Sequence, residues 1–498
     1  MSPAPVSFRE YYDLLSRAGL LAPDSAPLPE AADRPLTGLS YDSRAVREGD
    51  LFVCKGNAFK EEYLDQAIQN GAAAYVSERD FGRTVPCLKV SDVRFALGLL
   101  ADRYFGHPSG RLMIAGVTGT KGKTTTCFFL KSILDCWREA QGLHDAGLLS
   151  GIVTDDGVEC VPASLTTPES PDLQRHLRNA AEAGCGFLVL EVSSQALAHG
   201  RVAGVELASA AFLNIGEDHI SPKEHPDLED YFRTKLRIFD QARQAVVNLD
   251  EPRCAEVLQA AGRCEKTITY SMSEKTADLY GFDLIHNGAS MEFSVNMTGR
   301  TERFVLPMAG DFNVSNALAA LALAQTLGVP VEYMRQGLSR ASVPGRMEVI
   351  SENGKTVVID YAHNGMSLAA LLRSVRQGYP EQPVTVVFGC TGGKGLIRRQ
   401  GMGEAAADYA DRIILTEDDP GPEEVEAICA EVGRVIAAAG KDYAIIADRE
   451  EAVRQALMDS PRPGVVVLAG RGRQEYQLRR NGPQTFPTDC DLARKYLA

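Results

Sequence analysis

Short apolar runs alternate along the chain with longer stretches in which apolar positions recur every three or four residues. From 111 to about 345 the runs LMIAGV, GFLVLEV, AAFLNI and AVVNL are separated by helix-like segments, which predicts parallel strands joined by crossover helices. Beyond that, TVVID, VTVVFG, RIILTE, YAIIAD and GVVVLAG repeat the pattern and predict a second parallel sheet. Near the start, TGLSYDSRAVREGDLFVCKG and AIQNGAAAYVSERD read as short strands and one helix of a small unit. FGHPSGR (105–111) and SVPGRME (342–348) carry the turn residues expected at junctions. The expected fold is therefore α/β with three domains: a small N-terminal α/β domain over 1–110, a central parallel-sheet domain over 111–345, and a C-terminal Rossmann-like domain over 346–498.

Composition narrows the function classes. A chain of 498 residues exceeds one hydrophobic core, in keeping with several domains. Acidic residues outnumber basic ones by 66 to 52, and Lys and Arg form no dense stretch. Nucleic acid is thus not an expected partner. No apolar run approaches the ~20 residues of a membrane span, and MSPAPVSFREYYDLLSRAGLL lacks the apolar segment of a signal peptide. The eleven cysteines are scattered without a CxxC pair, as reduced thiols of a cytoplasmic protein would be. A monomer without membrane insertion is expected.

The stretch IAGVTGTKGKTTTCFFL (114–130) carries the first chemistry. A strand delivers the chain at Val117, and a helical pattern resumes after Lys123. Between them Gly119 and Gly122 let backbone N–H groups turn toward an anion, flanking Thr120 and Lys121. Lys123 would set its ammonium on the β- and γ-phosphates, and the Thr124 hydroxyl, beside Thr125, would ligate Mg²⁺. The position five before Gly122 is Val117 rather than glycine, so this is a shortened phosphate loop, G-T-K-G-K-T. It makes the central domain P-loop ATPase-like. A glycine-rich turn capping an ordinary helix is the plain alternative.

Other stretches choose among nucleotide users. TTPE (166–169), LEVSSQAL (190–197), LNIGEDH (213–219), GDFNVSNALAA (310–320), VPGRME (343–348) and IDYAHN (359–364) follow the order found in the Mur ligases. With YDSR and GDLF near the start and LAGRGRQEYQ near the end, the chain resembles that family, in particular its branch that adds the third peptide residue. The resemblance covers about 38 to 478. It implies an ATP- and Mg²⁺-dependent ligase, in cytoplasmic peptidoglycan precursor synthesis, that joins an amino acid to UDP-N-acetylmuramoyl-L-alanyl-D-glutamate through an acyl phosphate. The protein must then neutralise crowded negative charge and hold the reactants in line. A folylpolyglutamate-type ligase shares the loop but normally lacks the DSR…GDLF block, and a non-catalytic nucleotide-binding paralogue would tolerate loss of Glu191, His219 or Lys235.

The same resemblance assigns roles. Glu191, at the carboxyl end of the FLVL strand, and His219 match Mg²⁺ ligands. Lys235 in YFRTKLRIF matches a lysine that is carbamylated (N6-carboxylysine) and helps hold a second Mg²⁺. Read alone it is a surface lysine on a charged helix. Asn313 and Asn316, three apart at a helix start, suit an adenine edge, with helix capping as the structural alternative. Arg346 suits a phosphate bidentately. Asp360 matches the ribose contact, with His363 beside it. Arg346 and Asp360 fall at the second junction, so the nucleotide is expected between the central and C-terminal domains, whose closure would complete the site. Ser43 and Arg44 resemble the uridine-binding segment, and Thr166, Thr167, Ser193 and Arg201 the muramoyl-peptide contacts. His199 replaces a Gln and Lys121 an Asn of the better-known enzymes.

The acceptor end departs from the pattern. Enzymes adding meso-diaminopimelate carry Asp-Asn-Pro-Arg, whose Arg pairs with the distal carboxylate; this chain reads Asp418-Asp419-Pro420-Gly421. A buried carboxylate without that partner would lose roughly 3 kcal/mol or more. Asp419 offers an anion to a side-chain ammonium instead, favouring L-lysine or L-ornithine. The family's GKGHED reads Gly470-Arg471-Gly472-Arg473-Gln474-Glu475, so a Glu that meets the substrate amine is neutral Gln474. Lys394 stands where an Arg clamps the α-carboxylate, a weaker fork for a planar anion. Arg473 is a second candidate carboxylate partner, which would restore a diaminopimelate-like choice.

Overall fold

The computed structural model describes residues 5–26, 28–30, 32–56, 59–217, 220–221, 224–393 and 396–497. The chain forms two compact units, one of residues 1–279 with 319–337 and one of 280–318 with 338–498.

The first unit opens with a four-stranded parallel sheet in the order Leu39–Ser40, Leu51–Val53, Ala74–Ser77 and Cys87–Lys89. Three helices accompany it rather than the single one expected: Phe8–Arg17, Glu61–Gln69 and Val93–Phe105. The first is legible in hindsight. Ser7 and Glu10 form a capping box, and Phe8, Tyr11 and Leu15 recur on its buried face. At the predicted junction, Pro108–Arg111 is a 3₁₀ turn with Pro108 and Ser109 buried.

A large sheet follows. Its parallel strands run in the order Gly147–Leu149, Phe187–Glu191, Met113–Thr118, Leu207–Phe212, Ala242–Asn248 and Lys266–Ser271. The register sets Glu191 opposite Val117 and Phe212 opposite Thr118, so several strands end at one level. Two antiparallel strands, Val153–Asp155 and Cys160–Pro162, extend the edge. At three residues each they are too short to show a period; the Asp156-Gly157 turn was their one sequence signal.

The second unit holds an unexpected antiparallel set, Leu279–Asn287, Ser290–Met297 and Arg300–Leu306. Asn287-Gly288 marks its first turn. Its main sheet has the predicted parallel strands, in the order Lys355–Asp360, Gly464–Ala469, Val384–Phe388, Arg412–Leu415 and Ala444–Ile445, with Glu348–Glu352 antiparallel at the edge. Helices Asp448-capped Arg449–Asp459 and Asp489–Leu497 pack on a core that includes Val357, Val466, Leu468 and Leu497. No helix among the described residues is long and apolar enough to cross a membrane.

Candidate functional site

In the first unit the carboxyl ends of four neighbouring strands converge, the place where open parallel sheets bind ligands. The strand Met113–Thr118 passes through residues 119–122 into the helix Lys123–Ala140, whose first turn carries Thr124 and Thr125. Gly122 caps that helix in the left-handed region, φ 82°, which a side chain at this position would oppose. Asn214, after the neighbouring strand, braces the loop on both sides: its Oδ1 accepts from the Lys121 N–H at 2.9 Å, and its Nδ2 donates to the Lys121 carbonyl at 3.1 Å. The Thr120 hydroxyl accepts from the Gly216 N–H at 3.0 Å. Asn214 was absent from the predicted site, although LNIGEDH contains it.

The Lys123 ammonium folds back onto the loop, donating to the carbonyls of Gly119 at 3.0 Å and Thr120 at 3.1 Å. Lys235 reaches the same Gly119 carbonyl at 2.9 Å and lies 4.5 Å from the Tyr231 ring centre. With 1% of its surface exposed, Lys235 is not the surface lysine that its charged helix suggested. Leu228–Leu236 turns one face inward, burying Tyr231, Phe232, Thr234 and Lys235 together.

Glu191 is buried at its strand end. Its Oε2 accepts from the Thr124 hydroxyl and from the Gly151 N–H, both at 2.8 Å. A Cβ on Gly151 would lie 3.5 Å from that oxygen and 3.5 Å from the Thr166 hydroxyl, so Thr124, Thr166 and Glu191 share one corner. Hydroxyl and carboxylate oxygens beside a phosphate loop are the donor set a hard divalent cation takes. His219 lies outside the described residues.

Behind this corner, the fully buried Thr167 donates to the Glu191 carbonyl at 2.7 Å and accepts from the Ser193 N–H at 3.0 Å. Ser193 in turn caps the short helix Ser194–Ala198. Arg201 donates to the Thr167 carbonyl at 3.3 Å and pairs with Glu169 at 2.9 Å. Glu169 also pairs with Lys55, and Tyr41 donates to Asp172 at 3.0 Å, so the N-terminal sheet contributes to the same side of the site. Burial would raise the Glu169 carboxyl, but Lys55, Arg201 and Arg94 hold it below the ordinary range. Burial, with Arg94 and Arg201 nearby, lowers the His199 imidazole and keeps it neutral at pH 7. Ser43 is buried against Gln66 at 2.7 Å. Arg44 is exposed and forks onto Asp42.

A serine–histidine–aspartate chain also occurs here. His225 bonds Ser194 at 3.0 Å and Asp230 at 2.7 Å. Both Ser194 and His225 are buried, so the chain pins loop to helix instead of exposing a nucleophile.

The second unit has its own strand-end cluster. Asp360 ends its strand and accepts from the Met347 N–H at 2.8 Å; burial raises its carboxyl while Arg346 opposes the rise. The Arg346 guanidinium lies 4.4 Å from the Tyr361 ring centre, and His363 bonds the Tyr361 carbonyl at 2.8 Å. Tyr361 thus orients Arg346, a role not anticipated from sequence. Asn313 donates to the Ala309 carbonyl at 2.7 Å and Asn316 donates to Asn313 at 3.3 Å, both from within the helix Asp311–Thr326, so neither bond is a cap.

Asp418 and Asp419 follow the strand Arg412–Leu415, and Gly470 to Gln474 follow Gly464–Ala469. Asp419 sits in the left-handed region at φ 46°, with Oδ1 accepting from the Leu478 N–H at 2.7 Å and Oδ2 from the Gln474 amide at 3.1 Å. Gln474 therefore braces an anion. Asp418 is buried, and its Oδ2 has no hydrogen-bond partner among the described residues. Burial pushes its carboxyl up to about 6, with Arg449 and Arg471 opposing and Asp419 and Asp489 adding to the rise. Arg473, considered above as a carboxylate partner, is committed to Glu348 through a two-bond fork at 2.9 and 2.6 Å. Lys394 lies outside the described residues.

Comparison with known proteins agrees with this geometry. Residues 117–324 match the Mur ligase middle domain and 345–472 the Mur ligase, glutamate ligase domain. A UDP-N-acetylmuramoyl-L-alanyl-D-glutamate–L-lysine ligase of Streptococcus sanguinis (strain SK36) is 39% identical over 467 residues, 92% of each chain. The solved structure of a UDP-N-acetylmuramoyl-L-alanyl-D-glutamate–2,6-diaminopimelate ligase superposes with a TM-score of 0.71 at 28% identity, covering 99% of each chain. The Mycobacterium tuberculosis folylpolyglutamate synthase, solved with ADP and AMPPCP, shares the fold at a TM-score of 0.61 and 17% identity, over 76% of this chain and 92% of that one. The chain belongs to the Mur ligase family.

Proposed function

We propose that the chain is a cytoplasmic, monomeric, ATP-dependent ligase that joins L-lysine to UDP-N-acetylmuramoyl-L-alanyl-D-glutamate, with L-ornithine the next amine in preference. Division at residues 110 and 345 assigns the UDP-sugar end, the nucleotide and the amine to successive domains. The likeness to the L-lysine ligase supports the substrate. Both Asp419 oxygens already accept from Gln474 and Leu478, so the role expected of Asp419 passes to Asp418, whose buried oxygen without a partner among the described residues carries the choice of amine.

Thr124 and Glu191 would hold a Mg²⁺ ion, which when bound screens the phosphate charge. The loop N–H groups and Lys123 bind the β- and γ-phosphates, the ammonium exchanging its two carbonyls for phosphate oxygens. The γ-phosphoryl group passes to a glutamate carboxylate oxygen of the UDP-dipeptide, its bond to ADP breaking as the new P–O bond forms. The amine nitrogen then attacks the acyl carbon, the C–O bond to phosphate breaks, and the amine proton leaves as the amide forms. Arg201, Thr166, Thr167 and Ser193 orient the dipeptide, with Ser43 and Arg44 at the uridine. Arg346, Asp360 and His363 contact the nucleotide. Lys235 carries the carbamate: its nitrogen keeps one N–H after modification, so the bond to Gly119 survives while the end becomes anionic. Glu417 pairs with Arg479 and Asp489 with Arg449, whereas Asp418 keeps a buried oxygen without a hydrogen-bond partner among the described residues, which leaves that carboxylate for a side-chain ammonium.

Ligation with ATP, Mg²⁺, the UDP-dipeptide and one amine at a time tests this. L-lysine is expected to exceed meso-diaminopimelate by more than tenfold in kcat/KM, about 1.4 kcal/mol. The reverse order overturns the choice of amine, and ADP release stimulated only by a folate supports the folylpolyglutamate alternative.

A further inference from the structure

Arg449 and Asp489 are both completely buried, at 0% exposure, and neither belongs to any motif that carries the ligase resemblance. Arg449 begins the helix Arg449–Asp459 and Asp489 the helix Asp489–Leu497, 40 residues apart in sequence. Their side chains form a two-bond fork, Nε to Oδ1 and Nη2 to Oδ2, both at 2.8 Å. Two further N–H groups go to the backbone. Nη1 donates to the Glu417 carbonyl at 3.3 Å and Nη2 to the Ala469 carbonyl at 2.9 Å. Glu417 and Ala469 immediately precede Asp418 and Gly470, so one guanidinium ties the roots of both loops that carry the amine-binding residues. Asp489 adds a third tie, its N–H donating to the Gly472 carbonyl at 3.2 Å.

The fork has a second effect. Arg449 is the strongest cation acting on Asp418, yet it forms no hydrogen bond with it, and Asp418 Oδ2 stays unpartnered among the described residues. Asp489 occupies Nε and one N–H of Nη2, so the fork fixes the plane of the guanidinium and with it how the group can turn toward that oxygen. We propose that Arg449 and Asp489 are positioning residues of the amine pocket: Arg449 sets the spacing of the 418–421 and 470–474 loops, and Asp489 keeps Arg449 from quenching the carboxylate that receives the ammonium. The proposal rests on the cationic-amine reading above.

The test uses the full chain with three variants, D489N, R449K and R449M/D489L. Breaking one partner of a buried pair destabilises strongly, whereas replacing both by apolar groups of similar volume is often tolerated, so the double variant guards against loss of fold. KM for lysine is expected to rise at least tenfold in D489N and in the double variant, while KM for ATP changes less than twofold. R449K, which keeps the charge but loses the fork, falls between them and wild type. Unchanged KM for lysine in folded variants overturns the proposal, as does a parallel rise in both KM values, which a general loosening would cause. If wild type prefers another amine, the substrate reading fails and the same variants measured with that amine still decide this one. Amide exchange supplies a readout independent of turnover: both loops exchange faster in the double variant, and unaltered exchange overturns the spacing role.

Discussion

The phosphate corner and the amine pocket are both built at the carboxyl ends of parallel strands, but they are held by different kinds of bond. Around the phosphate loop the ties are local or run to the adjacent strand: Lys123 to Gly119, Asn214 to Lys121, Thr124 to Glu191. Each partner has one simple job, and the residue types follow from the chemistry of phosphate and cation. Around Asp418 the ties come from Arg449 and Asp489, each at the start of a helix, and from Gln474 in the neighbouring strand-end loop. The two sets of ties share no residue and differ in kind, so the amine pocket accepts new side chains without dismantling the nucleotide machinery. That difference accounts for intact G-T-K-G-K-T beside altered Asp-Asn-Pro-Arg and GKGHED stretches.

The sharpest break in the comparison comes from the phosphate side. Lys123→Met removes the ammonium that the loop itself carries and is expected to lower kcat about 10²- to 10³-fold with every amine, read as ADP release. Gly470→Ala attacks the other side. Its Cβ would lie 2.3 Å from Asp418 Oδ2, so one loop must shift, and about a tenfold rise in KM for lysine is expected with KM for ATP unchanged. Acid sharpens the contrast further. With the Asp418 carboxyl at about 6, the fraction of receptive anion falls as pH drops below that value, so KM for lysine rises toward pH 5 while KM for ATP does not follow it. The sign for stability is opposite: a raised carboxyl favours the folded state at low pH, and that contribution fades as pH climbs through 6. Asp418→Asn removes both dependences. The smallest effect is expected from Lys121→Asn, which restores the commoner residue in a loop whose backbone is already held by Asn214; KM for ATP shifts less than about fivefold.

The parallel strands were legible because both faces of each are apolar, and the phosphate loop because glycine, lysine and threonine have few other reasons to stand together after a strand. Glu191 could be placed at a strand end from FLVL alone. Lys235 could not: burial of a lysine depends on what packs over its helix, and the charged neighbours Glu229, Asp230 and Arg233 pointed outward to solvent. The antiparallel strands of 279–306 were hidden because they mix polar with apolar positions and lack the continuous apolar runs that mark the parallel strands. Tyr361 and Asp489 escaped because each acts through a side chain that only the fold brings to it, Arg346 for the one and Arg449 for the other.

The Lys55–Glu169–Arg201 bridge has a consequence for ligand design. The protein has already placed a carboxylate of its own between two of the cations on the peptide side, so that surface is far less of an anion trap than its lysine and arginine suggest. A synthetic ligand that adds a second acid there meets Glu169 as a like charge, whereas a neutral amide avoids crowding two carboxylates together.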